Sequence, residues 1–469
     1  MPLANNSHDT SPEPLNGSNA TVGISVLMGD PKKAIIKLSG PMVIAMLLMS
    51  TYNIVNAIWV AGLGSDALAA VGFVTPLFMI LIGLSNGLGA GVASLISRRI
   101  GAKDKAGADN AAVHALLLVL ILSATLTLPL IFLTGPIVTL FGAGETAGLA
   151  TEYGQVVFLG MVFLLFTNIA YAILRAEGDA KRAMYVMGAS AVLNLVLDPL
   201  LIYTAGLGIA GAAWGMIVSL VMVSGVLLYW FFIKRDTYVT ISYKTFSWDR
   251  RTLHGILGVG LPASVEFFLM SILAIFINSL LVATAGTDAV AVYTAGWRVV
   301  IFAIIPMIAI STAVISVAGA AYGARKFENI RTAHTFSVTL GIAIALVISA
   351  ITYFFASQIA VIFTYSPESA HLGPEIAAFL AIMCFFYPFI PPGVMSGSIF
   401  QATGRGMTSL VMTVLRNLVF IAVFAYLFGI VLGYGEHGVW WGIVAGDILG
   451  GIVSFTWARI YISRLLANQ

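Results

Sequence analysis

Charge is what this sequence has least of. Only 9% of its 469 residues are Asp, Glu, Lys or Arg, against roughly 25% in a soluble domain, so the chain could not cover a globular surface with polar groups. Its single cysteine, Cys384, excludes an internal disulfide and a Cys-rich metal site. It lies in an apolar run and reads as a small packed hydrophobe. No Walker pattern occurs, which argues against ATP-driven transport, and Gly-Ala-Lys at 101–103 and Gly-Ala-Arg at 323–325 read as turns. His114, His254, His334, His371 and His437 show no metal-ligand spacing of the HExxH kind, so no metal site is expected. Residues 1–30 lack the apolar stretch of a signal peptide. Rich in Ser, Asn, Gly and Pro, they are expected to be disordered, with the sequons at Asn5, Asn16 and Asn19 read as chance.

What is present is hydrophobic: 59% of the residues, with a mean hydropathy of +0.99. Apolar runs long enough to cross a bilayer at about 20 residues each predict twelve helices, near 34–61, 67–97, 108–133, 147–175, 180–204, 209–233, 252–284, 288–320, 330–360, 371–401, 406–431 and 438–466. The runs are uniformly apolar rather than alternating, which favours helices over a barrel. Lys and Arg set the orientation: 21 of the 23 fall in the tail and in the loops after even-numbered helices, and none in the loops of the other side. Both termini are therefore expected in the cytoplasm of a multi-pass plasma-membrane protein.

The chain also repeats itself. Gly40-Pro41 and Met49-Ser50 match Leu261-Pro262 and Met270-Ser271 at an offset of 221; Gly64 to Ala67 matches Gly286 to Ala289 at 222. Gly101 to Lys103 matches Gly323 to Arg325 at 222, and Gly208 to Gly215 matches Gly435 to Gly442 at 227. Four matches in order imply two six-helix halves of like topology, related by a pseudo-twofold along the membrane normal. The expected organisation is a tail (1–33), an N-lobe (34–234), a polar linker (235–251) and a C-lobe (252–469) around a central cleft. That is the plan of an alternating-access carrier; the clustered side chains of a membrane-embedded enzyme are not evident.

Asp198 is the foremost functional candidate, because a carboxylate deep in a span is costly and usually handles ions or protons. Asn194 lies one turn earlier on the same face. Pro199 cannot donate to the carbonyl of Leu195, so Asn194, Asp198 and that carbonyl could form an oxygen-rich cation site or a hydrated proton acceptor. Packing alone is the bland alternative. Pro41, Tyr52 and Asn56 lie close to one stripe of the first helix, and Glu266 follows Pro262 by one turn in the seventh. Arg298, Arg416 and Asp447 are expected to pair with one another, since unpaired charges in a span are expensive. Phe385 to Gly393, with Pro388, Pro391 and Pro392, predicts a bend in the tenth helix. Its aromatics, and Met42, Met46 and Met49, could meet flat or varied ligands, although core packing or lipid contact accounts for them equally.

The stretch Tyr52 to Val60 after Pro41, Arg175-Ala176-Glu177-Gly178-Asp179, Asn194 to Pro199, Gly208 to Gly215 and Gln401-Ala402-Thr403-Gly404 together resemble the multidrug and toxic compound extrusion (MATE) transporters, especially archaeal and DinF-like prokaryotic members. The resemblance spans about 34–466. It implies a secondary antiporter that expels organic, often cationic, compounds in exchange for protons or sodium ions. It also places Asn194 and Asp198 in an N-lobe coupling site, with Tyr153 and Asn168 as further polar members and Glu266 as a looser counterpart of a seventh-helix glutamate in NorM-like and eukaryotic relatives. Relatives carry an aspartate where Asn56 stands; an amide can offer sodium an oxygen but accepts no proton. Sodium-binding relatives supply a sixth-helix hydroxyl, where this chain has Gly215 and Met216, with Ser219 a turn beyond. The expected partners are small organic cations or drugs and the lipid bilayer, with no nucleic acid, no cofactor beyond the coupling H+ or Na+, and a monomeric state. A lipid-linked oligosaccharide flippase is the alternative, against which stands a cavity offering only Arg298 and Arg416 to a pyrophosphate.

Overall fold

The computed structural model describes residues 21–242, 246–364 and 370–468. The first twenty residues with their three sequons, and Lys244, lie outside that set. The described residues are helical, without a strand. We number the spans α1 (Pro31–Ala61), α2 (Ser65–Gly101), α3 (Lys105–Leu140), α4 (Gly144–Leu159 with Met161–Ala176), α5 (Ala180–Thr204), α6 (Gly208–Lys234), α7 (Arg250–Ala285), α8 (Thr287–Gly323), α9 (Phe327–Phe354), α10 (Ala370–Ala402), α11 (Gly406–Val431) and α12 (Gly435–Ala467). Eleven of them pass singly as apolar membrane-length helices, and α4 makes the twelfth as a pair bent by 46°.

Local chemistry accounts for most boundaries. α1 starts where the Asp30 carboxylate accepts the Lys32 N–H at 2.9 Å and Pro31 takes the first turn. Residues 21–33, expected to be disordered with the rest of the tail, are instead ordered. Thr21 caps a short helix (Val22–Leu27) that buries Ile24 and Leu27, and its Gly23 packs so closely on the Glu177–Gly178 backbone that no Cβ would fit. The fourth helix, expected unbroken over 147–175, kinks at Gly160. A Cβ there would lie 2.5 Å from Cγ1 of Ile217, so glycine lets α6 press into the break. In α10 the Pro388–Pro392 stretch leaves a tight turn (Tyr387–Phe389) between Gly373–Met383 and Ile390–Ala402. α9 stops at Phe354, and the rest of the expected ninth helix continues as a separate helix (Ala356–Phe363).

The internal repeat is written into the backbone. Left-handed conformations fall at corresponding places in both halves: Gly64 and Gly286, Lys103 and Arg325, Gly178 and Gly404, Gly206 and Gly433, Gly208 and Gly435. The halves meet on the face that carries the basic loops. Along α2, Gly87 and Gly91 sit against the α7 backbone at Gly260, Ser264 and Ile256, and Ser94 donates to the Gln401 carbonyl. Gly101 abuts Ala320 of α8 while Gly323 abuts Arg98 of α2, a reciprocal contact that the pseudo-twofold exchanges. Toward the opposite face, Met79, Ile80, Met270 and Ile275 of α2 and α7 are exposed. The linker is bound to the N-lobe: Asp236 forms a two-pronged ion pair with Arg182 (2.8 and 2.9 Å), and the Val239, Thr240, Ser247 and Asp249 N–H groups donate to Glu177, Asp109, Asn110 and His114.

Candidate functional site

Asp198 lies in the last turns of α5, where Pro199 interrupts the α-helical ladder and the chain continues as a π-helical turn (Leu200–Thr204). Its side chain is wholly buried. Asn56 of α1 donates its amide to Asp198 Oδ2 at 2.6 Å, and Tyr52, one turn earlier, is close enough to interact electrostatically with Asp198. Two residues 142 positions apart in sequence thus meet because α1 and α5 pack together. Gly215 of α6 makes room for the carboxylate: a Cβ there would collide with Asp198 Oδ1. That oxygen is buried and has no hydrogen-bond partner among the described residues.

One turn back on α5, Asn194 donates to the Ser190 carbonyl (2.9 Å) and to Ser219 Oγ of α6 (3.1 Å), while Ser190 and Ser219 share a 2.9 Å hydrogen bond. Asn194 Oδ1 is a second buried acceptor without a partner. Ser219 therefore belongs to the cluster through Asn194 and not through Asp198. Ser190 was missed at the sequence level, although Ser190, Asn194 and Asp198 recur every four residues on one helical face. Tyr153 lies close enough to couple electrostatically with Asp198. Asn168 donates to the Leu164 carbonyl of its own helix at 3.0 Å.

Glu266 belongs elsewhere. It accepts from Gln401 at 3.3 Å, within the C-lobe, and its Oε1 is buried with no hydrogen-bond partner among the described residues. Arg416 pairs with buried Asp447 (3.7 Å), as expected, but Arg298 does not join them. It is exposed on α8, five turns before Ser316 on the stripe that meets α2 through Gly319 and Ala320. Pro41 is accommodated inside α1, and buried Pro391 packs against Gly341 of α9.

An orphaned acceptor in a buried site costs about 1–3 kcal/mol unless something fills its lone pairs. Asp198 Oδ1 is such an atom, and it could take a proton without disturbing the Asn56 bond to Oδ2. Sodium would need several oxygens at once; among the described residues the side chains offer two unpartnered ones, Asp198 Oδ1 and Asn194 Oδ1, beside the Leu195 carbonyl that Pro199 leaves without its helical donor.

Comparison with known proteins agrees with this architecture. The MatE family model matches residues 41–200 and 262–427, one segment in each half. The multidrug export protein MepA of Staphylococcus saprophyticus is 28% identical over 448 residues, covering 93% of this chain and 95% of the relative. MepA of Staphylococcus aureus is 27% identical over 439 residues with the same coverage. Among solved structures, a MATE family multidrug resistance transporter of the MOP superfamily in an outward-facing conformation is 44% identical, with TM-score 0.93, over 96% of this chain and 100% of that one. A MOP superfamily transporter from Pyrococcus furiosus, whose pocket of reversed polarity suggests a different function for it, is 44% identical, with TM-score 0.92, over 96% and 99%.

Proposed function

Because this chain belongs to the MatE family of membrane transporters and is not an enzyme, we propose that it exports organic, often cationic, compounds by alternating access, driven by a proton carried on Asp198. The observation behind this reading is the 2.6 Å bond from Asn56 to Asp198 Oδ2 beside an Oδ1 that is buried and unpartnered. One carboxyl oxygen is held in place and the other is free to gain and lose a proton. Asn56 cannot titrate, so the site carries one proton, not two. A single carboxyl with Oδ2 fixed by Asn56 and Oδ1 unpartnered among the described residues speaks for H+ over Na+. Export of multiple drugs by the MepA relatives supports the substrate class, and the basic loops gathered on one face support cytoplasmic termini.

The test is ethidium efflux from cells expressing Asp198→Asn. The amide is isosteric and uncharged, so expression and folding are expected to persist while gradient-driven export is lost. Export at the wild-type rate would remove Asp198 from the mechanism. A second reading, movement of a lipid-linked anionic substrate, draws on exposed Arg298. Binding of a lipid pyrophosphate that Arg298→Ala abolishes, with no binding of aromatic cations, would favour it.

A further inference from the structure

The face opposite the basic loops has no Lys or Arg in its loops, yet the C-lobe gathers three carboxylates and two imidazoles there. Glu375 comes from α10, Glu436 and His437 from the first turn of α12, Asp288 from the first turn of α8, and His371 from the turn that opens α10. His437 Nε2 lies 3.0 Å from Glu375 Oε2, and His371 Nε2 lies 3.2 Å from Asp288 Oδ2. One ligand atom each from Glu375, Glu436 and His437 falls within 4.8 Å of the other two. Glu436 feels Glu375, His437 and Asp288 electrostatically, and its carboxylate makes no hydrogen bond among the described residues.

We propose that Glu375, Glu436 and His437 form a binding site for a divalent transition metal of the zinc class, separate from the transport pathway. The donor set is mixed. An imidazole nitrogen with two carboxylate oxygens suits zinc, leaving the fourth position to water or to the neighbouring His371–Asp288 pair. Zinc ligands at about 2 Å from the ion lie roughly 3.3 Å apart in a tetrahedron, so small side-chain rotations in half-exposed groups close the site. Charge balance points the same way. Among the described residues three carboxylates gather there with no Lys or Arg paired to them, and a divalent ion would offset that charge. The internal repeat supplies a control: where the C-lobe has Glu436-His437, the matching N-lobe turn has Ile209-Ala210. The turn needs neither a carboxylate nor an imidazole to fold. The metal would tie together the ends of α10 and α12 on this face.

The experiment is calorimetric titration of the purified full-length protein with zinc chloride, paired with thermal unfolding in the presence and absence of zinc. We expect one zinc per chain, a rise in the unfolding temperature that chelator reverses, and an affinity reduced at least about tenfold in His437→Ala and in Glu436→Gln. Glu375→Gln is a second variant that should behave alike, and each variant's unfolding temperature without zinc reports whether it folds. Absence of zinc binding to the wild type, or unchanged affinity in properly folded variants, would overturn the assignment.

Discussion

The seam between the halves makes a quantitative test of alternating access. Gly101 closes α2 against α8, and a methyl group built on it would overlap the Ala320 carbonyl oxygen while lying 2.7 Å from the carbonyl carbon and 2.8 Å from Cα. These are backbone atoms, so no rotamer can relieve the contact. The helices must part by at least about 0.7 Å to bring the 2.7 Å approach out to the 3.4 Å at which ordinary packing begins, and by more to clear the carbonyl oxygen. Overpacking of this kind costs about 1–3 kcal/mol. The cost falls only on the state in which the basic face is shut, so Gly101→Ala should raise the population open on that face by about 5- to 150-fold. Spin labels at Lys103 and Lys326, exposed in the turns that follow α2 and α8, would report this as a longer distance gaining weight. Gly40→Ala is the control, because a methyl there meets nothing within 4 Å. Identical distance distributions in Gly101→Ala and wild type would refute the idea that close backbone contact at this seam holds the basic face closed.

Two further predictions concern charge. Burial pushes the Glu177 carboxyl from 4.5 up to about 8, only partly offset by the backbone N–H of Val239 that it accepts. The folded state thus binds this proton more tightly than the unfolded chain, so the contribution is complete below the ordinary carboxylate value and is lost as pH rises through about 8. Thermal unfolding on either side of that pH should show the loss, and Glu177→Gln should lack it. Separately, Arg416→Met would strand buried Asp447 without its partner, costing about 3–5 kcal/mol in unfolding experiments. Adding Asp447→Leu should recover most of that; no recovery would mean the pair is not the reason for the loss.

Much of the architecture was legible because hydropathy and repetition act along the chain. Twelve apolar runs, basic loops on one side and matched landmarks such as Gly64 with Gly286 need no tertiary information, and the left-handed backbone at both glycines is the physical reason the pair recurs. Asn194 and Asp198 were legible for the same reason, since four-residue spacing puts both on one helix face. The bond between Asn56 and Asp198 was not, because it depends on how α1 packs against α5. Nor was the space that Gly215 leaves for the carboxylate, since from its position alone that residue read as a missing hydroxyl. Glu266 lies on the seventh span in the C-lobe, as its position in the chain implied, but its hydrogen bond from Gln401 depends on how α7 and α10 pack. The cluster of Glu375, Glu436 and His437 escaped a search by spacing because α10 and α12 supply it from positions some sixty residues apart. The close approach of Ile217 to Gly160 at the kink is likewise a tertiary contact, which no local signal announces.

Whether one proton on Asp198 drives transport can be read in reconstituted liposomes. A fluorescent organic cation would be followed under an imposed proton gradient and then under a sodium gradient, in wild type and in Asp198→Asn. Movement is expected under the proton gradient alone and should be lost in the variant. Movement driven by sodium alone, or proton-driven movement that survives Asp198→Asn, would contradict proton coupling through Asp198.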